Sequence, residues 1–546
     1  MKPYGTGTYT VTAALPYANG PIHIGHLAGA YLPADIYARY LRMRGHEVAF
    51  ICGSDEGGVA ILLKARKEDT TPKAIVDRYH EENKLTFQQM GISFDIYHRT
   101  SSELHHQVAS DFFRLLHKEG KLLTKTSEQF YDEQEKMFLA DRYLQGTCPR
   151  CAYPEAYGDQ CEKCGTSFNA DELIEPRSTL SNTAPARKET THWYLPLNEY
   201  EAWLQAWIEA KKDSWRTNVY GQCISWLKAG LRPRAITRDL NWGIPLPLEG
   251  SNDKVLYVWF EAPIGYISAT QAWATQVGKD WRPFWQDQKT SLVHFIGKDN
   301  IVFHCLIFPA MLKAHGDYIL PTYVAGNEFM NLEGDKISTS RNHAVWIHDY
   351  LQAWPGQEDV LRYVLCANAP ESRDSNFHWE NFRARNNQEL VAILGNFVHR
   401  VLILLHAHFD GKVPSPGDFT EEDHALIANI ATLPTKIGEA IEGFKLRKAQ
   451  ELLMEFARHG NKYLADMAPW KTIKEDVPRT ATILYVSLQI IAHIASYGSP
   501  FLPFTCQKLA TMIDLPEVAW DDAYTFEKVA PDTSLDKPEQ LFTKIR

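Results

Sequence analysis

TYTVTAALPYANGPIHIGHL, residues 8–27, sets two histidines three residues apart just beyond a Gly-Pro turn. Its β-branched, alternating start predicts a strand over 9–14. Ala-Asn-Gly-Pro is turn chemistry, and apolar residues then recur at helical spacing over 27–42. HEVAFICGSDEGG (46–58) reads as a second buried strand ending in a polar loop. Strand, turn, helix, strand is the opening of a parallel α/β sheet. Ligands of such sheets bind beyond the carboxyl ends of the strands, where His23, His26 and Asp55 are expected to sit.

Working outward, the alternation breaks over 122–250, where turn residues and a group of cysteines prevail. It resumes in KVLYVWFEAPIGY (254–266) and continues through SLVHFIGKDNIVFHCLIFPAML (291–312) and PTYVAGNEFM (321–330). After residue 386, Pro and Gly thin out inside long amphipathic stretches, which predicts an α-helical domain. The architecture expected is therefore a Rossmann-like parallel sheet split between 1–121 and 251–330. An insertion occupies 122–250, a linking segment 331–385 and a helical bundle 386–546.

The chain has 546 residues, 45% apolar and 23% charged, with a net charge of −10. That balance is ordinary for a folded multidomain protein and supplies no global basic field for nucleic acid. The opening residues lack a signal-peptide core, and the most apolar run is broken by Asn396, His399 and Arg400. A cytoplasmic location without membrane spans is the expectation. Of nine cysteines, four cluster in TCPRCAYPEAYGDQCEKCG. Cys148, Cys151, Cys161 and Cys164 form two C-x2-C pairs, which predicts one structural zinc with no open coordination position. Four ordinary buried cysteines or a redox pair are the alternatives.

Alone, H-x-G-H reads as a helix cap or core pair. It also suits an anion, because Gly25 lets backbone approach and a helix N-terminus attracts negative charge. Joined to RGHEVAFICGSDE, the zinc knuckle, YVWFEAPIGY, HFIGKDN and GDKISTSR in this order, it resembles the methionyl-tRNA synthetase family of class I aminoacyl-tRNA synthetases. The likeness runs to the final LFTKIR.

The resemblance implies activation of L-methionine by ATP to methionyl-adenylate, with transfer to the 3′ adenosine of initiator and elongator methionine tRNA. It implies magnesium with ATP, and it leaves the oligomeric state open. His23 and His26 are then expected to stabilise the α-phosphate, with Lys336 of the KISTS loop on the leaving pyrophosphate. Gly25, Gly297, Lys298, Asp299, Ser338 and Thr339 fall at nucleotide-contacting positions. Thr339 stands where a second lysine is usual, leaving the charge to Lys336 alone or with help from Arg341. Gly57 stands where a histidine is common.

Ala14, Leu15, Tyr17, Asp55, Trp259, Ala262, Pro263, Tyr266, Phe303 and His304 match the methionine pocket. Aromatic edges suit a thioether, and Asp55 suits the ammonium group. Asn396, Arg400 and Trp470 match anticodon-reading positions. Over 386–473 there are nine Lys/Arg against eleven Asp/Glu, so that assignment rests on position and not on charge. Three rivals share parts of the pattern. A cysteine-specific synthetase would hold zinc in its pocket, whereas four cysteines close this one. A non-catalytic RNA-binding paralogue would not need the histidine pair, and a metabolic nucleotidylyltransferase would not need the helical bundle.

Overall fold

The computed structural model describes residues 7–546 apart from 140, 159–160, 162, 165–169, 252, 340–341, 516–518 and 521–523. Five parallel strands form the central sheet: β1 (Thr8–Ala13), β2 (Glu47–Ser54), β3 (Ile96–Arg99), β4 (Ser291–Gly297) and β5 (Tyr323–Asn327). Their order is β5-β4-β1-β2-β3. Val11 lies between Phe50 of β2 and Val293 of β4, all three fully or almost fully buried. Chain order reverses direction between β1 and β4, so this is the switch point where the sheet offers a crevice. The first strand starts and ends one residue earlier than its sequence pattern suggests. The helix after it begins at Ile24 and runs to Met43, with a π-helical turn at Leu27–Tyr31.

The region read as irregular contains more order than its composition indicates. Leu123–Asp132 and Ala186–Leu195 form a long antiparallel ribbon, extended by Met137–Phe138 and Arg234–Ala235. A separate three-stranded sheet (Leu144–Thr147, Ala156–Tyr157, Ile174–Ser178) carries the cysteine knuckle. Helices Glu201–Glu209 and Thr217–Ala229 pack the other way. Leu204, Ile208, Val219 and Cys223 share a core with Leu292, Ile301 and Val324 of the central domain. Both ten-residue strands are largely polar and exposed, which hid the ribbon from periodicity.

C-terminal to the sheet lies a bundle of helices, including Asn396–His408, Leu446–Met467 and Val477–Gly498. Two helical stretches, 379–408 and Val477–Gly498, are long and apolar enough to span a membrane by composition alone. From Thr480 on, the second is the buried centre of the bundle, which accounts for its apolar run. Arg362, with no exposed surface, stitches the bundle to the sheet. Its guanidinium donates to Asp35 Oδ2 (2.7 Å), Met90 O (3.1 Å), Pro500 O (3.0 Å) and Phe501 O (3.1 Å).

Candidate active site

At the end of β1 the chain runs into the helix that begins at Ile24, with His23 as its cap. His23 Nδ1 accepts the N–H of Gly25 (3.1 Å) and of His26 (3.3 Å), and His26 Nδ1 accepts the N–H of His23 (3.3 Å). The two rings stack with centroids 3.6 Å apart. A nitrogen that accepts cannot carry the proton, so in each neutral ring the proton sits on Nε2. Burial, and for His23 also the adjacent His26, pushes both imidazoles well below the ordinary histidine value, His26 to about 4. The helix cap therefore presents two neutral Nε2–H donors side by side.

Gly25 is tightly enclosed by its neighbours. A Cβ there would stand 3.0 Å from His23 Cε1 and 3.2 Å from Ile337 Cδ1. Ile337 belongs to the KISTS loop, which rests against the histidine turn. The loop is held by a hairpin pairing Met330–Leu332 with Asp335–Lys336. Glu333 and Gly334 at its tip both have positive φ (50° and 94°), the geometry of a tight primed turn. Lys336 is exposed at the hairpin's end, 5.7 Å from the Phe329 ring centroid and within electrostatic reach of Asp299. Ser338 pairs with His343 across the loop, and Thr339 is exposed. Ser340 and Arg341 lie outside the described residues. From the far side, Ile24 N–H donates to Val345 O (3.1 Å), and Trp346 sits 5.8 Å from His23.

Gly297 ends β4 across the switch point, and a Cβ there would meet Asp299 Oδ1 at 2.6 Å. Lys298 is paired with two carboxylates. Its ammonium is bound by Glu328 and Asp374, both at 2.7 Å. Among the described residues this leaves Lys336 as the loop's cation.

The residues matched by sequence to a methionine pocket lie beside the same crevice. Ala14 N–H donates to Phe295 O (3.0 Å), and Tyr17 bridges to Asp55, joining the ends of β1, β2 and β4. Leu15 lies against Gly265, with its Cδ1 3.2 Å from where a Cβ would be. Trp259 (39% exposed) meets the Phe303 ring edge to face at 5.9 Å. Ala262 and Pro263 continue the turn that begins the helix Ile264–Val277. His304 Nδ1 lies 3.1 Å from Asn300 O, which fixes that nitrogen as the donor; Tyr266 then donates its hydroxyl to Nε2 (2.9 Å). Burial pushes His304 down to about 4, so it stays a neutral acceptor. Asp55 is 5% exposed and accepts from Gly57 N–H at 3.2 Å.

Motif reading passed over Glu261, whose signal was a carboxylate inside the otherwise apolar run VWFEAPIGYI. It is 2% exposed and bonds His105 Nε2 at 2.9 Å. Its Oε1 also explains Gly57, because a Cβ at 57 would lie 2.7 Å from that oxygen. A histidine cannot occupy this position while Glu261 holds its place.

Away from the crevice, all four cysteine sulfurs lie within 4.8 Å of one another. Cys148 and Cys164 are 3.9 Å apart, and Cys151 and Cys161 are 3.6 Å apart. A tetrahedron with ligands about 2.3 Å from zinc has edges of about 3.8 Å, so the cluster is already metal-shaped. In the bundle, Asn396 and Arg400 sit one turn apart, and the Arg400 guanidinium lies 4.8 Å from the Trp470 ring centroid. Trp470 is 38% exposed, on the short helix Pro469–Thr472.

A model described as tRNA synthetases class I (M) matches residues 9–402, and one for the anticodon binding domain of methionyl tRNA ligase matches 413–546. The methionine–tRNA ligase of Christiangramia forsetii is 55% identical over 545 residues, covering 98% of this chain and 79% of its own. That of Cytophaga hutchinsonii is 55% identical over 544 residues, with the same coverage. Among solved structures, Mycobacterium tuberculosis methionyl-tRNA synthetase in complex with methionyl-adenylate superposes with a TM-score of 0.82 at 24% identity. The match covers 98% of this chain and 99% of that one.

Proposed function

Since the chain belongs to the methionyl-tRNA synthetase family and is an ATP-dependent methionine–tRNA ligase, we propose how its residues divide the reaction. His23 and His26 give their Nε2–H donors to α-phosphate oxygens as the methionine carboxylate attacks. Charge grows on those oxygens in the transition state, so donors already aimed there lower the barrier without reorganising. Neutral imidazoles suit this role, since they donate without needing protonation. Lys336 neutralises the departing pyrophosphate from the exposed hairpin, with Ser338 and Thr339 beside it. Gly297 and Asp299 line the nucleotide on the β4 side, while Lys298 braces the crevice through Glu328 and Asp374. Magnesium would accompany ATP as counter-ion of its phosphates.

Methionine lies with its ammonium toward Asp55 and its thioether among Tyr17, Trp259, Tyr266 and Phe303. Ala14, Leu15, Ala262, Pro263 and His304 complete the wall. In the bundle, Trp470 stacks on an anticodon base, and Asn396 and Arg400 read base edges of initiator and elongator methionine tRNA. A cytoplasmic location suits these partners.

The observation that carries this reading is the stacked His23–His26 pair at the switch point of the sheet, each Nδ1 occupied as an acceptor so that Nε2–H is left to donate. Amino-acid-dependent ATP–pyrophosphate exchange across the twenty amino acids is its test. Methionine alone should support rapid exchange, and Lys336→Ala should slow it about a hundredfold, roughly 2.7 kcal/mol. Equal exchange with another amino acid, or an unaffected Lys336→Ala enzyme, defeats the assignment.

Cys148, Cys151, Cys161 and Cys164 hold one zinc, which stabilises the small knuckle and takes no part in chemistry. Elemental analysis should find about one zinc per chain, as four thiolates fit a single ion. Cys161→Ser should lose the metal and make 144–178 sensitive to protease, while adenylate formation is largely retained. Full metal occupancy in that variant would contradict the ligand set.

A further inference from the structure

Two carboxylates flank Gly57. Its N–H donates to Asp55 Oδ1, and Glu261 Oε1 stands where its Cβ would point. Glu261 Oε2 meets His105 Nε2, and His105 Nδ1 meets Ser268 Oγ at 2.9 Å. Among the described residues no donor reaches Glu261 Oε1.

The other ionisable groups around the pair leave it without a counter-ion. Glu56 is buried beside it but is balanced by Arg99 (2.9 Å) and accepts from Ser54 (2.6 Å) and Ser101. Arg99 also holds Asp77 (2.7 Å), and Lys73 is paired with Asp77. Burial drives His105 down to about 3 and His98 to about 4, so neither supplies a cation, and Tyr266 is held neutral by burial. Glu103 and His106 lie on the rim of a cavity of about 450 Å³ that reaches Gly57 and Glu261. Two buried carboxylates with no cation between them do not both ionise readily. Burial raises both above the ordinary carboxyl range, and Asp55 is raised further by Glu261.

The missing cation is the one that the substrate brings. We propose that Glu261 is a second carboxylate of the substrate-ammonium site, sharing one proton with Asp55 that leaves to solvent when methionine binds. This rests on the reading of Asp55 as the ammonium's partner. No substrate bond changes. The ammonium arrives protonated, the carboxyl proton passes to buffer, and the cavity at Gly57 gives it a path. Affinity must then rise with pH over the range in which the free pair still holds its proton.

Calorimetric titration of the full chain with L-methionine, in buffers of different ionisation enthalpy, counts the proton directly. Release of about 0.5–1 proton per methionine is expected within pH 6–8, with Kd falling by up to about tenfold per pH unit. Release near zero throughout that range overturns the proposal without any variant. Glu261→Gln should abolish release and flatten the pH dependence of Kd; unchanged release in that protein removes Glu261 from the pair. Asp55→Asn separates the two layers. If it leaves Kd unchanged, the ammonium reading itself fails. If it weakens binding while the parent releases no proton, only the shared proton is wrong.

Discussion

His23→Ala and His26→Ala should each slow methionyl-adenylate formation by about 10²–10³-fold, roughly 2.7–4 kcal/mol, with little change in methionine affinity. The loss belongs in the rate, because the Nε2–H donors meet charge that is present only in the transition state. His23 also caps its helix through Nδ1, so alanine removes a cap worth about 0.5–2 kcal/mol as well as a donor. His23→Asn separates the two. Its side-chain oxygen can accept the same backbone N–H groups, while its shorter amide does not extend to the position of Nε2–H. Stability near that of the parent with the rate still depressed is the expected result. Single-turnover adenylate formation and thermal melting read the two effects independently, and a near-parental rate in both alanine variants would reduce the motif to a cap.

The same geometry fixes a pH dependence. Both imidazoles have folded values below the ordinary 6.5. Between about 4 and 6.5 the unfolded chain therefore binds more protons at these positions than the folded one. Their contribution to stability is complete above 6.5 and is lost as pH falls toward 4. Activation should accordingly show no ionisation from these histidines between pH 6 and 8.

Arg362→Ala should destabilise the protein by about 3–5 kcal/mol, because several buried acceptors lose their donor at once and Asp35 keeps only Arg39 and Ser93 as partners. Burial alone would raise Asp35, but Arg39, Arg362 and Ser93 outweigh it and hold the carboxyl below its ordinary value. With Arg362 removed, three carbonyls and Asp35 lose a donor inside a region closed to water. Asp35 lies on the helix that follows the histidine turn, so loosening here frees the catalytic helix from the bundle. Urea unfolding of Arg362→Ala, beside Arg383→Ala as an exposed control, measures the effect. Matching midpoints for Arg362→Ala and the parent would show that the stitch carries no stability.

Much of this protein is local pattern, and local pattern is legible in sequence. The β-branched alternation of β1, the turn chemistry before His23 and the paired C-x2-C spacing each act within a few residues, where periodicity and spacing register directly. The order of motifs then pointed to the family. Charge balance and burial are set by residues distant in sequence, and there the fold decided. Lys298 reads from sequence only as a nucleotide-contacting position, and the fold adds that Glu328 and Asp374, from other segments, pair with its ammonium. Gly57 is an unexplained departure until Glu261, about two hundred residues on, fills the space its side chain would need. Helices Glu201–Glu209 and Thr217–Ala229 fall inside the insertion by position, yet they complete the core of the central domain. The proton positions on His23, His26 and His304 depend on which backbone groups reach Nδ1. Only a folded chain brings a second electrostatic partner to a side chain, and that partner determines whether the side chain is a ligand, a brace or a shared proton's holder.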